Sequence, residues 1–167
     1  EDGIRDYKVT GVQTCALPIF DEFLPAYYED AAGPVRRYID LLHQRTREKG
    51  YHFRIYDGPW HPLFSDEFVA QAESILREAE NAAANKPEVL GRVRLLSATI
   101  QYVHLVRLME LRKTRGGWTA EQKKLARTLL EGIDAVARKE EITHIGEQRS
   151  YDAWYKVARK GVDEAGP

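Results

Sequence analysis

The sequence predicts an all-α protein, a helical bundle of about five to six helices with one irregular, aromatic-rich loop. Three observations lead there. From Phe20 onward, apolar residues recur at i, i+3, i+4 and i+7 through nearly the whole chain. Capping and stop residues punctuate that period at helix-length intervals. The one stretch that breaks it, residues 50–64, is crowded with Gly, Pro and aromatic side chains.

Taken in order, Phe20, Phe23, Leu24, Tyr27 and Tyr28 fall on one face of a first helix. Pro25, which has no N–H to donate, weakens its middle. Gly33-Pro34 opens a second helix, where Pro suits the first turn, with Val35, Tyr38, Ile39 and Leu42 as its buried stripe. Within residues 50–64, HFRIY alternates like a short strand. Ser65-Asp66-Glu67 reads as a helix start with acids in the first turn. That third helix runs to about Ala84 and turns Phe68, Ala72, Ile75, Leu76, Ala79 and Ala83 inward.

Pro87 starts the longest helix, which reaches about Arg115. Between Leu95 and Leu111 it is apolar on most sides, the mark of a central bundle element. Gly116-Gly117 stops it. Thr119 and Gln122 have capping-box spacing, and Trp118 stands at the staple position before them. Leu125, Leu129, Ile133 and Val136 carry the fifth helix inward. After a break around residues 143–146, Tyr151, Trp154, Tyr155, Ala158 and Val162 mark a short last helix.

The 167 residues are 43% hydrophobic and 31% charged, with 25 Lys and Arg against 26 Asp and Glu. Such a balance argues against a nucleic-acid partner. No run approaches the ~20 apolar residues that span a bilayer, so no membrane partner is expected. Cys15 is the single cysteine and excludes an intrachain disulfide.

Residues 1–19, EDGIRDYKVTGVQTCALPI, resemble a translated sequencing-library adapter. Seventeen of the nineteen match adapter codons in one frame, and Tyr7-Lys8 occupies the variable index. The alternation V-T-G-V-Q-T would also suit a strand, but it explains far fewer residues. The segment has no sustained apolar core of a signal peptide and is set aside from the fold. Its removal takes Glu1, Asp2, Asp6, Arg5 and Lys8, leaving 23 acids and 23 bases in 148 residues, and no cysteine. The expected organisation is an artefact over 1–19 and a C-terminal α-helical domain over 20–167, a fragment of a larger protein.

No catalytic, cofactor-binding or metal site emerges. The five histidines (43, 52, 61, 104, 144) lack the spacing that aligns ligands on a helix. There is no nucleophile motif and no phosphate-cradling glycine loop. The acids fall mostly on expected solvent-facing helix sides, unlike a glycosidase carboxylate pair. Two basic clusters, Arg45-Thr46-Arg47 and Arg112-Lys113-Thr114-Arg115, read as solvated or helix-end charge. The aromatic loop, with Tyr51, Phe53, Tyr56, Trp60, His61 and Phe64 around Asp57-Gly58-Pro59, can stack on sugar rings or plug onto a neighbouring domain. The plug is favoured, because apolar loops need a partner surface.

Residues 22–43, EFLPAYYEDAAGPVRRYIDLLH, resemble a signature that reads E-F-L-x-x-Y-Y-G-x-A-A-x-P-(I/V)-R-x-Y-x-x-L-L-H. It opens the C-terminal helical region of domain-of-unknown-function family 4838, bacterial glycoside-hydrolase-like proteins. V-L-G-R-V-R-L-L-S-A-T-I-Q-Y-V-x-L, 89–105, is similar to the long helix of that region. Glu29 departs from it, standing where the signature has Gly.

The resemblance implies an accessory region of an exported, carbohydrate-processing protein, not catalytic alone. It would pack on an upstream (β/α)8 barrel that carries any catalytic carboxylates. Tyr27, Tyr28, Tyr56, Trp60 and His61 are the expected barrel or glycan contacts, and exposed apolar surface is expected around Tyr27, Tyr28, Trp60 or Trp154. The alternative is a stand-alone helical protein-interaction module. Sequencing the locus from source DNA is expected to show no adapter codons ahead of Phe20; recovering them there would return residues 1–19 to the protein.

Overall fold

The computed structural model describes residues 19–51, 57–146 and 149–164. The adapter-like residues 1–18, the strand-like HFRIY of 52–56 and the candidate Tyr56 therefore lie outside the described residues. Six helices make an all-α bundle among those described: α1 (residues 19–28), α2 (Ala32–Lys49), α3 (Asp66–Ala82), α4 (Pro87–Arg115), α5 (Ala120–Lys139) and α6 (Tyr151–Asp163). The expected boundary between residues 19 and 20 falls within the described start of α1.

The helix starts are where local chemistry puts them. The Ser65 hydroxyl accepts from the Phe68 N–H and begins α3. Thr119 and Gln122 exchange both bonds of a capping box at α5, and the Trp118 indole N–H donates to the Leu108 carbonyl at 3.1 Å. Gly116, at φ 78°, supplies the left-handed residue that ends α4. Helix α1 continues through Pro25, whose side is exposed.

Consecutive helices pack as neighbours, α2 on α3, α3 on α4 and α4 on α5. Three apolar clusters fill the spaces. Leu24, Tyr28, Val35, Ala79 and Val93 join α1 to the early turns of α2, the end of α3 and the start of α4. Tyr38, Phe68, Leu76 and Ile100 form the middle cluster. Leu105, Trp118, Leu130, Tyr151 and Trp154 close the far end, where α6 folds over α4 and α5.

Two features differ from the sequence reading. The break before α6 is a small antiparallel hairpin, β1 (His144–Gly146) with β2 (Arg149–Ser150), backed by the Tyr151 N–H donating to the Thr143 carbonyl at 2.8 Å. The five aromatic and apolar residues of α1 also do not share one buried face. Leu24 and Tyr28 are buried and Phe20 half-buried, whereas Phe23 and Tyr27 face outward. The two rows lie side by side on the helix, and only one is buried in the core between α2, α3 and α4.

The junction of α1 and α2 is a single 3₁₀ turn, Glu29–Ala31, and Glu29 sits at φ 47°. This is the left-handed region that disfavours a side chain by roughly 1–2 kcal/mol. Glu29 is the position where the signature carries Gly, so the departure and the strained backbone coincide. Lys86 holds the turn through Asp30 at 2.6 Å and Glu29 at 2.8 Å. These carboxylates, Asp30 first, push the lysine up to about 12. Glu29→Gly is expected to be neutral or to stabilise by up to about 1 kcal/mol, because relief of strain outweighs an exposed ion pair. At Glu22, an exposed position inside α1, the same exchange is expected to cost about 0.5–1 kcal/mol. Urea unfolding of the two variants tests the difference in sign.

Candidate functional site

The surfaces that could meet a partner are those where apolar side chains exceed what the core uses. The first lies on α1. The Tyr27 and Phe23 rings stack, with centroids 5.0 Å apart and 18° between planes. They are 39% and 47% exposed, whereas Tyr28, edge-on to Tyr27, is only 9% exposed. Arg92 of α4 fixes the pair, with its guanidinium 4.3 Å from the Tyr27 ring centre and one N–H donated to the Tyr27 carbonyl at 2.7 Å. Burial raises the Tyr28 hydroxyl above its ordinary pKa, which suits a core residue.

The second is a trough of about 520 Å³ between α4 and α5. Leu95, Ala98 and Tyr102 form one wall, and Ile133, Val136 and Ala137 the other. Phe64 and Pro59 approach one end, Ile142 and Ile145 the other. Its size is that of a ligand or side-chain pocket, and Leu95 and Ile142 stand exposed beside it.

The third is the loop before α3. Trp60 is 68% exposed. Half-buried His61 is occupied locally: its Nδ1 accepts from the Leu63 N–H at 3.1 Å and caps the short 3₁₀ helix Pro62–Phe64. That bond places the ring proton on Nε2, which lies 4.0 Å from the Asp57 carboxylate. Trp154 is buried in the far cluster at 5% exposure. Of the aromatic residues singled out in the sequence, Tyr27 and Trp60 face solvent, Tyr28 and Trp154 lie inside, and His61 holds a turn.

The polar groups mostly serve the bundle. Asp66, Glu73 and Glu80 repeat every seven residues along α3 and meet α4. Asp66 takes Arg107 at 2.6 Å, Glu73 takes His104 Nδ1 at 2.6 Å, and Glu80 accepts from buried Ser97 at 2.6 Å. The helical period places these acids on solvent-facing sides, and only their heptad spacing in the sequence hints at the seam. The basic clusters also turn inward in part. Arg45 donates to the Ser65 hydroxyl at 2.7 Å, and Arg112 donates to the Gly161 carbonyl and lies over Trp118. Among the described residues, no three His, Cys, Asp or Glu are placed to share a metal, and no helix is long and apolar enough to cross a membrane.

No protein-family model, curated protein or solved structure matches this chain.

One buried polar contact gives a pH test of the far cluster. The Tyr151 hydroxyl donates to Asp134 at 3.0 Å, and burial, then that carboxylate, raise its pKa. Because the folded value lies above the unfolded value of about 10, the hydroxyl's contribution is complete below pH 10. It is lost as pH rises toward the folded value. The native chain is expected to exceed Tyr151→Phe by about 1 kcal/mol at pH 8. That margin shrinks above pH 10, as chemical unfolding at both pH values would register.

Proposed function

We propose that residues 20–167 form the helical accessory region of a bacterial glycoside-hydrolase-like, carbohydrate-processing protein. The region packs on an upstream (β/α)8 barrel and is not catalytic alone. The observation that carries this reading is the double-faced character of α1. One apolar row builds the bundle core, and a second, Phe23 and Tyr27, projects as a stacked aromatic pair held by Arg92. Two stacked rings fixed in an exposed position are a small, preordered contact of the kind that anchors interfaces. The signature-like sequence of residues 22–43 contains both.

The trough between α4 and α5 favours a second reading, a stand-alone interaction module whose partner inserts an apolar segment there. The complete gene separates the two. A barrel-length region ahead of Phe20 supports the first, and a start codon close to Phe20 supports the second.

The protein test uses Phe23→Asp combined with Tyr27→Asp. In the isolated chain the melting temperature is expected to move by only a few degrees, since both side chains are exposed. In the full-length protein the pair is expected to release the helical region, seen as faster proteolysis at the domain junction. Unchanged proteolysis in the full-length variant would sink the docking reading.

A further inference from the structure

We infer that Trp60 and the adjoining surface of α4 form a binding platform for one ring of a neutral pyranose chain. The inference rests on this cleft alone and not on the docking reading above.

The platform is built rather than incidental. Trp60 lies in the turn after Gly58, whose carbonyl accepts from the His61 N–H at 2.9 Å. A Cβ at residue 58 would stand 2.5 Å from the Cη2 and Cζ2 atoms of the indole. The benzo ring therefore lies directly against the glycine backbone, and a side chain at residue 58 would push it away. Arg107 of α4 ties the turn down by donating to the Pro59 carbonyl at 3.4 Å and to Asp66 at 2.6 Å. His61 adds the cap on the following turn. The turn that carries this large exposed ring is thus held in place before any ligand arrives, which reduces the entropy cost of binding.

The chemistry beside the ring selects the ligand class. A cleft of about 150 Å³ separates Trp60 from α4, floored by Val106 and Leu111 and edged by Arg107, Glu110 and Thr114. The charged groups there are already compensated, Arg107 by Asp66 and Glu110 by Lys113 at 2.8 Å. No surplus charge calls for an anionic or cationic ligand, yet hydrogen-bonding capacity remains on the guanidinium, carboxylate and hydroxyl. A pyranose with equatorial hydroxyls meets both demands. Its flat face presents axial C–H groups, slightly positive, to the negative face of the indole, and its hydroxyl edge reaches the polar rim. A nucleobase would stack as well, but its phosphates would find no uncompensated cation among the residues that line the cleft.

The position also separates this platform from the α1 pair. Arg92 and Glu110 are about 27 Å apart along α4 at 1.5 Å per residue, so the two surfaces can be tested independently.

The test exploits the tryptophans. Trp118 and Trp154 are each 5% exposed, so only Trp60 of the three reports from solvent. Cellohexaose or xylohexaose added to the chain is expected to blue-shift its emission saturably and to protect it from acrylamide. Trp60→Ala is expected to remove the response, and Trp60→Phe to keep it with affinity weakened by about tenfold. Gly58→Ala, which displaces the ring, is expected to weaken binding while leaving the circular dichroism spectrum unchanged.

Either of two results would overturn the assignment: no saturable change up to about 10 mM of either sugar, or binding measured by calorimetry that survives Trp60→Ala. Equal or tighter binding of oligogalacturonate or a single-stranded oligonucleotide would overturn the neutral-sugar class. Loss of acrylamide access to Trp60 in the full-length protein without sugar would show a protein contact there instead.

Discussion

Helix α4 contributes buried side chains to all three apolar clusters: Val89 and Val93 to the first, Ile100 and Val103 to the second, Leu105 and Leu108 to the third. A helix apolar on so many sides must be surrounded to be stable in water. That demand organises the molecule. Helix α3 covers one side and α5 another, α1 and α2 close over its first half, and α6 folds back over its second. The side left open, with Leu95, Ala98 and Tyr102, becomes the trough.

Covering an apolar rod fixes little about register, because apolar contacts are non-directional. The polar seam supplies direction. Asp66 meets Arg107, Glu73 meets His104 and Glu80 meets Ser97, each pair advancing along α3 while retreating along α4. Sliding the helices by one turn would strand several of these groups, and half-buried polar groups without partners cost about 1–3 kcal/mol each. Arg92 extends the same logic to α1 by bonding the Tyr27 carbonyl. Arg45, Arg92, Arg107 and Arg112 thus work as clamps between neighbouring elements.

The exposed aromatic residues are a product of this geometry. Tyr27 and Tyr28 are adjacent in sequence and about 100° apart on the helix, so α4 can bury only one of them. Trp60 stands out because Gly58, Pro59 and Arg107 hold the turn that carries it, while Trp154 faces the far cluster from the first turn of α6. The two surfaces use aromatic chemistry differently. The α1 pair is stacked on itself and suits an apolar partner. Trp60 borders compensated charges and suits a polar ring with an apolar face.

By itself the sequence determined the all-α class, the span of α4 from Pro87 to Arg115, and the caps at Ser65 and Thr119. Each of these depends on residues within a few positions of one another, where the 3.6-residue period and the capping bonds act. It also singled out Glu29 as a departure from the signature that residues 22–43 resemble, but the left-handed backbone at that residue came from the structure. The tertiary structure alone decided which of two neighbouring apolar rows on α1 faces solvent, which acids of α3 are paired, and that His61 caps a turn. Those outcomes depend on partners as far apart as Tyr27 and Arg92, 65 positions along the chain. Periodicity shows that a helix has an apolar face, and only the packed neighbours determine which of two such faces is filled.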